Sequence, residues 1–216
     1  MIERITCGKV NCYIVGQPGR CALVDTATEK YFDRVCSRAK VLGVRLIVLT
    51  HCHYDHAGGA AKLSDALGVP VAVHPADLPL LADPAYVDMY ADTFTGRLLL
   101  RFSRKSLRRR VTSFAPGAEL CEGLDLAAFG AEGTIMALPG HTPGSVGVYY
   151  ENSLVAGDAA FNILSPCRAK IYADGEDAES SYRRILADPR ITTVYVGHGR
   201  PIFLSKKEPP LTFVTE

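Results

Sequence analysis

No stretch of the sequence approaches the roughly 18–20 consecutive apolar residues that a membrane-spanning helix requires. Charge of one sign is also missing. Lys and Arg number 24 against 23 Asp and Glu, a formal net charge of +1, so neither a nucleic-acid binder nor an acidic solvating chain is indicated. The seven cysteines include no Cys-x-x-Cys pair, which argues against a zinc ribbon or a thioredoxin-like site. Odd in number and scattered, they read as reduced thiols of a cytoplasmic protein. The start, Met1 to Ile5, has no basic segment followed by an apolar core, so no secretory signal is expected. Internal repeats and low-complexity tracts are absent as well. What remains is an ordinary globular composition, 48% hydrophobic and 22% charged, long enough to bury a core without staples.

Periodicity and punctuation predict short strands at Val10 to Val15 and Cys21 to Val24 around the turn Gly16-Gln17-Pro18-Gly19. A helix is expected from Thr28 to about Leu42, stopped by Gly43, and a second from about Gly59 to Leu67, stopped by Gly68. The buried-type strand Arg45 to Thr50 precedes that second helix and Val69 to Val73 follows it, a βαβ unit. Residues 76 to about 116 lose the strand period and read as a helical insertion or lid between two halves of the core. Within it, seven basic residues and no acid lie between Arg97 and Arg110. Arg97, Arg101, Arg104 and Arg108 recur at helical spacing, as on a solvated helix face. Further strands are predicted near 118–121, 124–129, 134–138, 145–150, 153–156 and 192–196, with a helix from about Asp177 to Leu186. Two β-rich halves carrying helices imply packed sheets with helices outside, in one domain over 1–216.

The chemistry concentrates at strand ends. His51 and His53 stand two apart just past a strand, so an extended backbone aims both imidazoles the same way. Asp55 and His56 fall where the chain turns into the next helix and can face a second point. His141, Asp158 and His198 each follow an apolar strand and a glycine (Pro139-Gly140-His141, Ala156-Gly157-Asp158, Val196-Gly197-His198). Imidazole plus carboxylate is a ligand set that serves zinc, iron or manganese. Asp25 reads as a turn residue or as a carboxylate that orients a ligating imidazole. Cys52 is expected to point into the core and His74 to be structural. Tyr54, Tyr86 and Tyr90 are weaker candidates for stabilising an oxyanion.

The segments Thr50-His51-Cys52-His53-Tyr54-Asp55-His56-Ala57-Gly58-Gly59, Pro139 to Ser145, Ala156-Gly157-Asp158 and Gly197-His198-Gly199 resemble the metallo-β-lactamase-fold hydrolase superfamily, and within it glyoxalase II and related small hydrolases. Val10-Asn11-Cys12-Tyr13 and Leu23-Val24-Asp25-Thr26 extend the resemblance over nearly the whole chain, with Ala27 where the family often has glycine. The resemblance implies an α/β fold, a four-layer αβ/βα sandwich with the site at one edge. It implies two divalent metal ions, zinc first, with His51, His53 and His141 on one, Asp55, His56 and His198 on the other, and Asp158 bridging. Only 18 residues follow His198, where typical glyoxalase II carries a helical glutathione-binding region, so glutathione specificity is not expected.

The implied activity is hydrolysis of a small ester, thioester, lactone or related bond. Two metals can lower the pKa of water from about 15.7 to about 7, giving a hydroxide nucleophile that Asp55, as ligand and catalytic residue, helps to orient. A small molecule is the expected partner; nucleic acid and membrane are not, and the oligomeric state is left open. The competing readings are a sulfur dioxygenase with a single iron and a non-catalytic metal-binding sensor.

Overall fold

The computed structural model describes residues 1–204; the remaining residues of the expected 1–216 domain, 205–216, lie outside the described residues. Six strands form a first sheet in the order β1-β2-β3-β4-β5-β6: β1 (Ile2–Cys7), β2 (Val10–Val15), β3 (Cys21–Val24), β4 (Val44–Val48), β5 (Val71–Val73) and β6 (Ala118–Glu119). The first three pair antiparallel and the last three join in parallel. Helices α1 (Phe32–Leu42), α2 (Tyr54–Ala57) and α3 (Ala60–Leu67) connect β3 to β4 and β4 to β5. A second sheet, of five strands, contains β7 (Thr134–Ala137), β8 (Val146–Tyr150), β9 (Ser153–Val155), β12 (Thr193–Tyr195) and β13 (Ile202–Phe203), with β10 (Ala160–Phe161) and β11 (Cys167–Arg168) pairing beside it.

Strand β3 shows why the sheets stack. It is buried on both faces: Cys21 and Leu23 pack with Val35, Ala39 and Leu63 of α1 and α3, while Ala22 and Val24 pack with Ile135, Val146 and Val148 of the second sheet. A strand covered on both sides needs apolar residues in succession, which is how Cys-Ala-Leu-Val reads. The far face of the second sheet, through Met136, Leu154 and Val194, buries Ile185 of α6 (Gly175–Ala187). The result is helix, sheet, sheet, helix: the four-layer sandwich expected from the sequence.

Two expectations need correction. Residues 124–129 are not a strand; Leu126–Phe129 form a 3-10 turn. The Asp125 carboxylate caps that turn by accepting from the Ala127 N–H at 2.9 Å, and Gly130 closes it. An aspartate that satisfies its own neighbour's backbone competes with a strand ladder. The helical segment between β5 and β6, with α4 (Leu78–Ala82) and α5 (Phe94–Leu107), also does not separate the two halves of the core, because β6 returns to pair with β5 in the first sheet. The arginines of α5 are exposed as expected. The short helix α2 has no counterpart in the sequence reading. Among the described residues, no helix is long and apolar enough to cross a membrane.

Candidate metal centre

All seven residues singled out in the sequence meet at one edge of the sandwich. His51 and His53 follow β4, and His53 adopts extended backbone before the chain enters α2, which carries Asp55 and His56. His141 lies between β7 and β8, Asp158 after β9 and His198 after β12. Three overlapping groups converge, each with its ligand atoms within 4.8 Å of one another: His51, His53 and His141; His51, His56 and Asp158; and Asp55, His56 and His198. The Asp158 carboxylate stands between them, 3.4 Å from His56 Nε2, 3.6 Å from His141 Nε2 and 3.4 Å from His198 Nε2.

The imidazoles are fixed by their outer nitrogens. His141 Nδ1 is 2.7 Å from the Ile171 carbonyl and His198 Nδ1 2.7 Å from the Lys9 carbonyl. A carbonyl only accepts, so in both rings Nδ1 carries a proton and, in the neutral ring, Nε2 presents a bare lone pair to the centre. His56 Nδ1 is held by the Asp25 carboxylate at 2.7 Å, and His51 Nδ1 faces the Thr50 hydroxyl at 3.1 Å. Asp25 also accepts from the Thr50 N–H at 2.8 Å. It therefore orients an imidazole, one of the two roles the sequence left open.

Among the described residues, two buried polar atoms lack any hydrogen-bond partner, His51 Nε2 and Asp158 Oδ1, and both point into the cluster. His53 Nδ1 lies 3.0 Å from His141 Nε2, and His56 Nε2 lies 3.3 Å from His198 Nε2. Converging imidazole nitrogens and an orphaned carboxylate oxygen, all shielded from water, carry a desolvation cost that a cation among them removes. The donor set fits divalent metal ions.

The electrostatics divide the centre. Burial, aided by neighbouring imidazoles, drives His51 well below the usual histidine range, His53 down to about 3 and His141 to about 4. Burial also pulls on His56, but Asp158 and Asp25 outweigh it and hold the ring at about 10. His198 is raised in the same way, with Asp158 and Asp55 overcoming its burial. Burial would push the Asp55 carboxyl up, yet the hydrogen bond from His198 and the nearby imidazoles win and keep it ionised.

Sequence reasoning missed the residue that ties the loops together. Asp77, in the turn that opens the helical insertion, is fully buried. Its Oδ2 accepts from the Cys52 N–H at 3.0 Å and the Thr142 hydroxyl at 2.9 Å, and its Oδ1 accepts from the Gly144 N–H at 2.7 Å. One carboxylate thus clamps the segment between His51 and His53 to the segment after His141. Gly144 has to be glycine, since a Cβ there would strike Asp77. Gly197 is constrained likewise, because a Cβ would collide with Asp158 and His56. The His198 loop is pinned from the opposite sheet, where Tyr13 Oη donates to the Val196 carbonyl at 2.7 Å and Asn11 Nδ2 donates to Val196 and Gly199. Cys52 is buried among apolar residues and His74 accepts from the Ala76 N–H, both structural as expected. Tyr54, Tyr86 and Tyr90 do not line the cavity above the centre. That cavity has a volume of about 740 Å³, and His53, Asp55, His141, Asp158 and His198 reach it.

A family model described as the metallo-beta-lactamase superfamily matches residues 5–198, with all seven converging residues inside the match. The chain belongs to the metallo-beta-lactamase superfamily. It is similar to the probable metallo-hydrolase YqgX of Bacillus subtilis, 26% identical over 88% of this chain and 85% of that protein. It also resembles a hydroxyacylglutathione hydrolase of Anaeromyxobacter dehalogenans, 29% identical over 74% of this chain but only 50% of that one. Among solved structures, BLEG-1, described as a B3 metallo-beta-lactamase, aligns with a TM-score of 0.69 at 25% identity. TTHA1623 in a di-iron-bound form aligns at 0.62 and 26% identity, and each alignment covers 94% of both chains. The protein is a metallo-hydrolase of this superfamily.

Proposed function

We propose that the protein holds two divalent ions and hydrolyses a small ester, thioester or lactone. His51, His53 and His141 would hold one ion, Asp55, His56 and His198 the other, and Asp158 would touch both. The observation that carries this reading is the carboxylate of Asp158 lying within 3.6 Å of imidazole nitrogens from both groups, with its Oδ1 and His51 Nε2 left unpartnered. Bound ions supply Lewis acidity, lowering the pKa of water from about 15.7 to about 7 and polarising a carbonyl oxygen. Asp55, ionised and facing the cavity, is placed to accept a hydrogen bond from the attacking water and orient it. Asp25, Thr50, Ile171 and Lys9 keep the imidazoles in the tautomers and rotations that ligation needs.

Zinc is the first choice of ion, and the di-iron-bound form of TTHA1623 favours iron as the alternative. The likeness to a hydroxyacylglutathione hydrolase supports the ester and thioester class. The seven free thiols, five of them buried, support work in a reducing cytoplasm on a small-molecule substrate. The test is a panel of esters, thioesters, lactones and phosphodiesters assayed with metal-loaded and chelator-stripped protein, with elemental analysis on the same preparation. Turnover of an acyl substrate that disappears on stripping and returns with metal is expected. Failure of the whole panel with loaded protein would return the reading to a non-catalytic metal binder.

A further inference from the structure

The cavity above the metal centre is polarised from side to side. On the side of His141, its lining is largely hydrocarbon. Ile171, whose carbonyl anchors His141, is joined by Leu99, Phe102 and Leu107 of α5, between which Ser103 and Ser106 also reach the cavity. Phe102 and Ile163 remain 75% and 57% exposed, apolar surface that nothing among the described residues covers. On the side of His198, the lining is cationic. Lys9 belongs to the turn whose carbonyl anchors His198, Arg4 lies on the adjoining strand β1, and Arg200 follows His198 by two residues. Phe161 divides the two sides, stacked on His198 at 5.6 Å and edge-on to His141 at 6.5 Å.

None of these three cations makes an ion pair among the described residues, whereas Arg20, Arg38, Arg168, Arg183, Arg184 and Arg190 do. Among the described residues, the only carboxylates that line the cavity are Asp55 and Asp158, and both are directed at the metal centre. Three cations on one wall of a concave, low-dielectric site focus a positive field that draws in an anion. An apolar wall opposite rewards the burial of hydrocarbon.

Resting on the hydrolase reading above, we propose that the substrate is an anionic amphiphile. It is an ester or thioester with a carboxylate or phosphate on one side of the scissile bond and a hydrocarbon group on the other. The anion lies against Arg4, Lys9 and Arg200, and the hydrocarbon lies along Leu99, Phe102 and Ile171. Water adds across the bond, giving a carboxylic acid and a free thiol or alcohol, one of which keeps the anionic group.

The test compares octanoyl thioesters of mercaptopropionate, mercaptoethyl phosphate, mercaptoethanol and cysteamine, which are anionic, anionic, neutral and cationic, beside their acetyl counterparts. With metal-loaded protein, the better anionic octanoyl thioester is expected to exceed the cationic one in kcat/KM by about tenfold, a difference that shrinks with added salt. The mercaptopropionate and phosphate arms separate carboxylate from phosphate recognition, and a lead for either supports the proposal. The double variant Arg4→Ala/Arg200→Ala is expected to narrow the charge preference through KM, and Phe102→Ala to narrow the preference for octanoyl over acetyl. Equal kcat/KM across the charge series, unmoved by the arginine variant, would overturn the proposal and leave the hydrolase reading standing.

A binding measurement on metal-free protein keeps the two readings apart. The fluorescent apolar anion anilinonaphthalene sulfonate is expected to bind wild type and to weaken severalfold in Arg4→Ala/Arg200→Ala and in Phe102→Ala. If no thioester is turned over, weakened binding supports the cavity assignment while the hydrolase reading falls. Equal binding by all three proteins would overturn the assignment.

Discussion

His51, His53 and His141 are three buried imidazoles with no carboxylate among them. Asp55, His56 and His198 combine a carboxylate with two imidazoles and leave Asp55 and His198 with 31% and 17% of their side chains exposed on the cavity side. In the first group, burial keeps every ring neutral, ready to donate lone pairs. In the second, carboxylates hold His56 and His198 towards the charged form, so that protons stand where a cation would otherwise balance Asp55 and Asp158. On the proposed reading, the first group is a preformed nitrogen site, whereas the second, more open to the cavity, would exchange protons for metal. Asp158 stands at the junction, its carboxylate within 3.6 Å of imidazole nitrogens from both groups.

That contrast can be broken most severely at the junction. Asp158→Ala should weaken both ions and lower kcat/KM by about three orders of magnitude or more, read from metal content and turnover together. Retention of both ions would show that the two groups do not share this carboxylate. Asp77→Asn should act on one side only. Losing the clamp between the His51–His53 segment and the loop after His141 is expected to lower the affinity of the imidazole group's ion by about 10–100-fold, measured by chelator competition, with the other ion retained. Asp25→Asn is the mirror experiment. His56 loses its charged anchor, and about a tenfold drop confined to the second ion is expected.

The smallest effect concerns pH. His56 holds its proton below about 10 in the metal-free protein, so an ion entering its group displaces a proton and binds more weakly as pH falls. His53 and His141 are neutral above about 3 and about 4. The ion in their group is therefore expected to keep its affinity across the same neutral range. Chelator competition at about pH 6 and about pH 8 checks the difference; parallel pH dependence of the two ions would remove the distinction.

The legibility of the centre follows from its construction. His51, His141, Asp158 and His198 each follow an apolar strand, and apolar strands announce themselves by composition, so these four could be placed at one edge before any contact was known. Asp77 carried no such signal. It is one aspartate in a leucine- and proline-rich stretch, and its role depends on Cys52, Thr142 and Gly144, which only tertiary packing brings to it. The cation cluster was hidden for the same reason, since Arg200 is separated from Arg4 and Lys9 by nearly the whole chain. The strand expected at 124–129 shrinks to a single bridge between Asp125 and Thr134, because the Asp125 carboxylate caps a 3-10 turn that carries the chain away from the sheet. Layer order was readable because strands such as Cys21–Val24 are apolar on both faces; the return of β6 beside β5 was not, because two residues of strand carry no pattern.

Whether the seven residues form two coupled but unlike ion sites is tested most directly by metal stoichiometry. Elemental analysis of protein purified in excess zinc, wild type beside His198→Ala and His141→Ala, is expected to give two ions per chain in wild type. His198→Ala should keep the ion of the imidazole group and lose the other, while His141→Ala should lose the imidazole group's ion. A wild type that never exceeds one ion per chain, or variants that both retain two, would contradict the two-site reading.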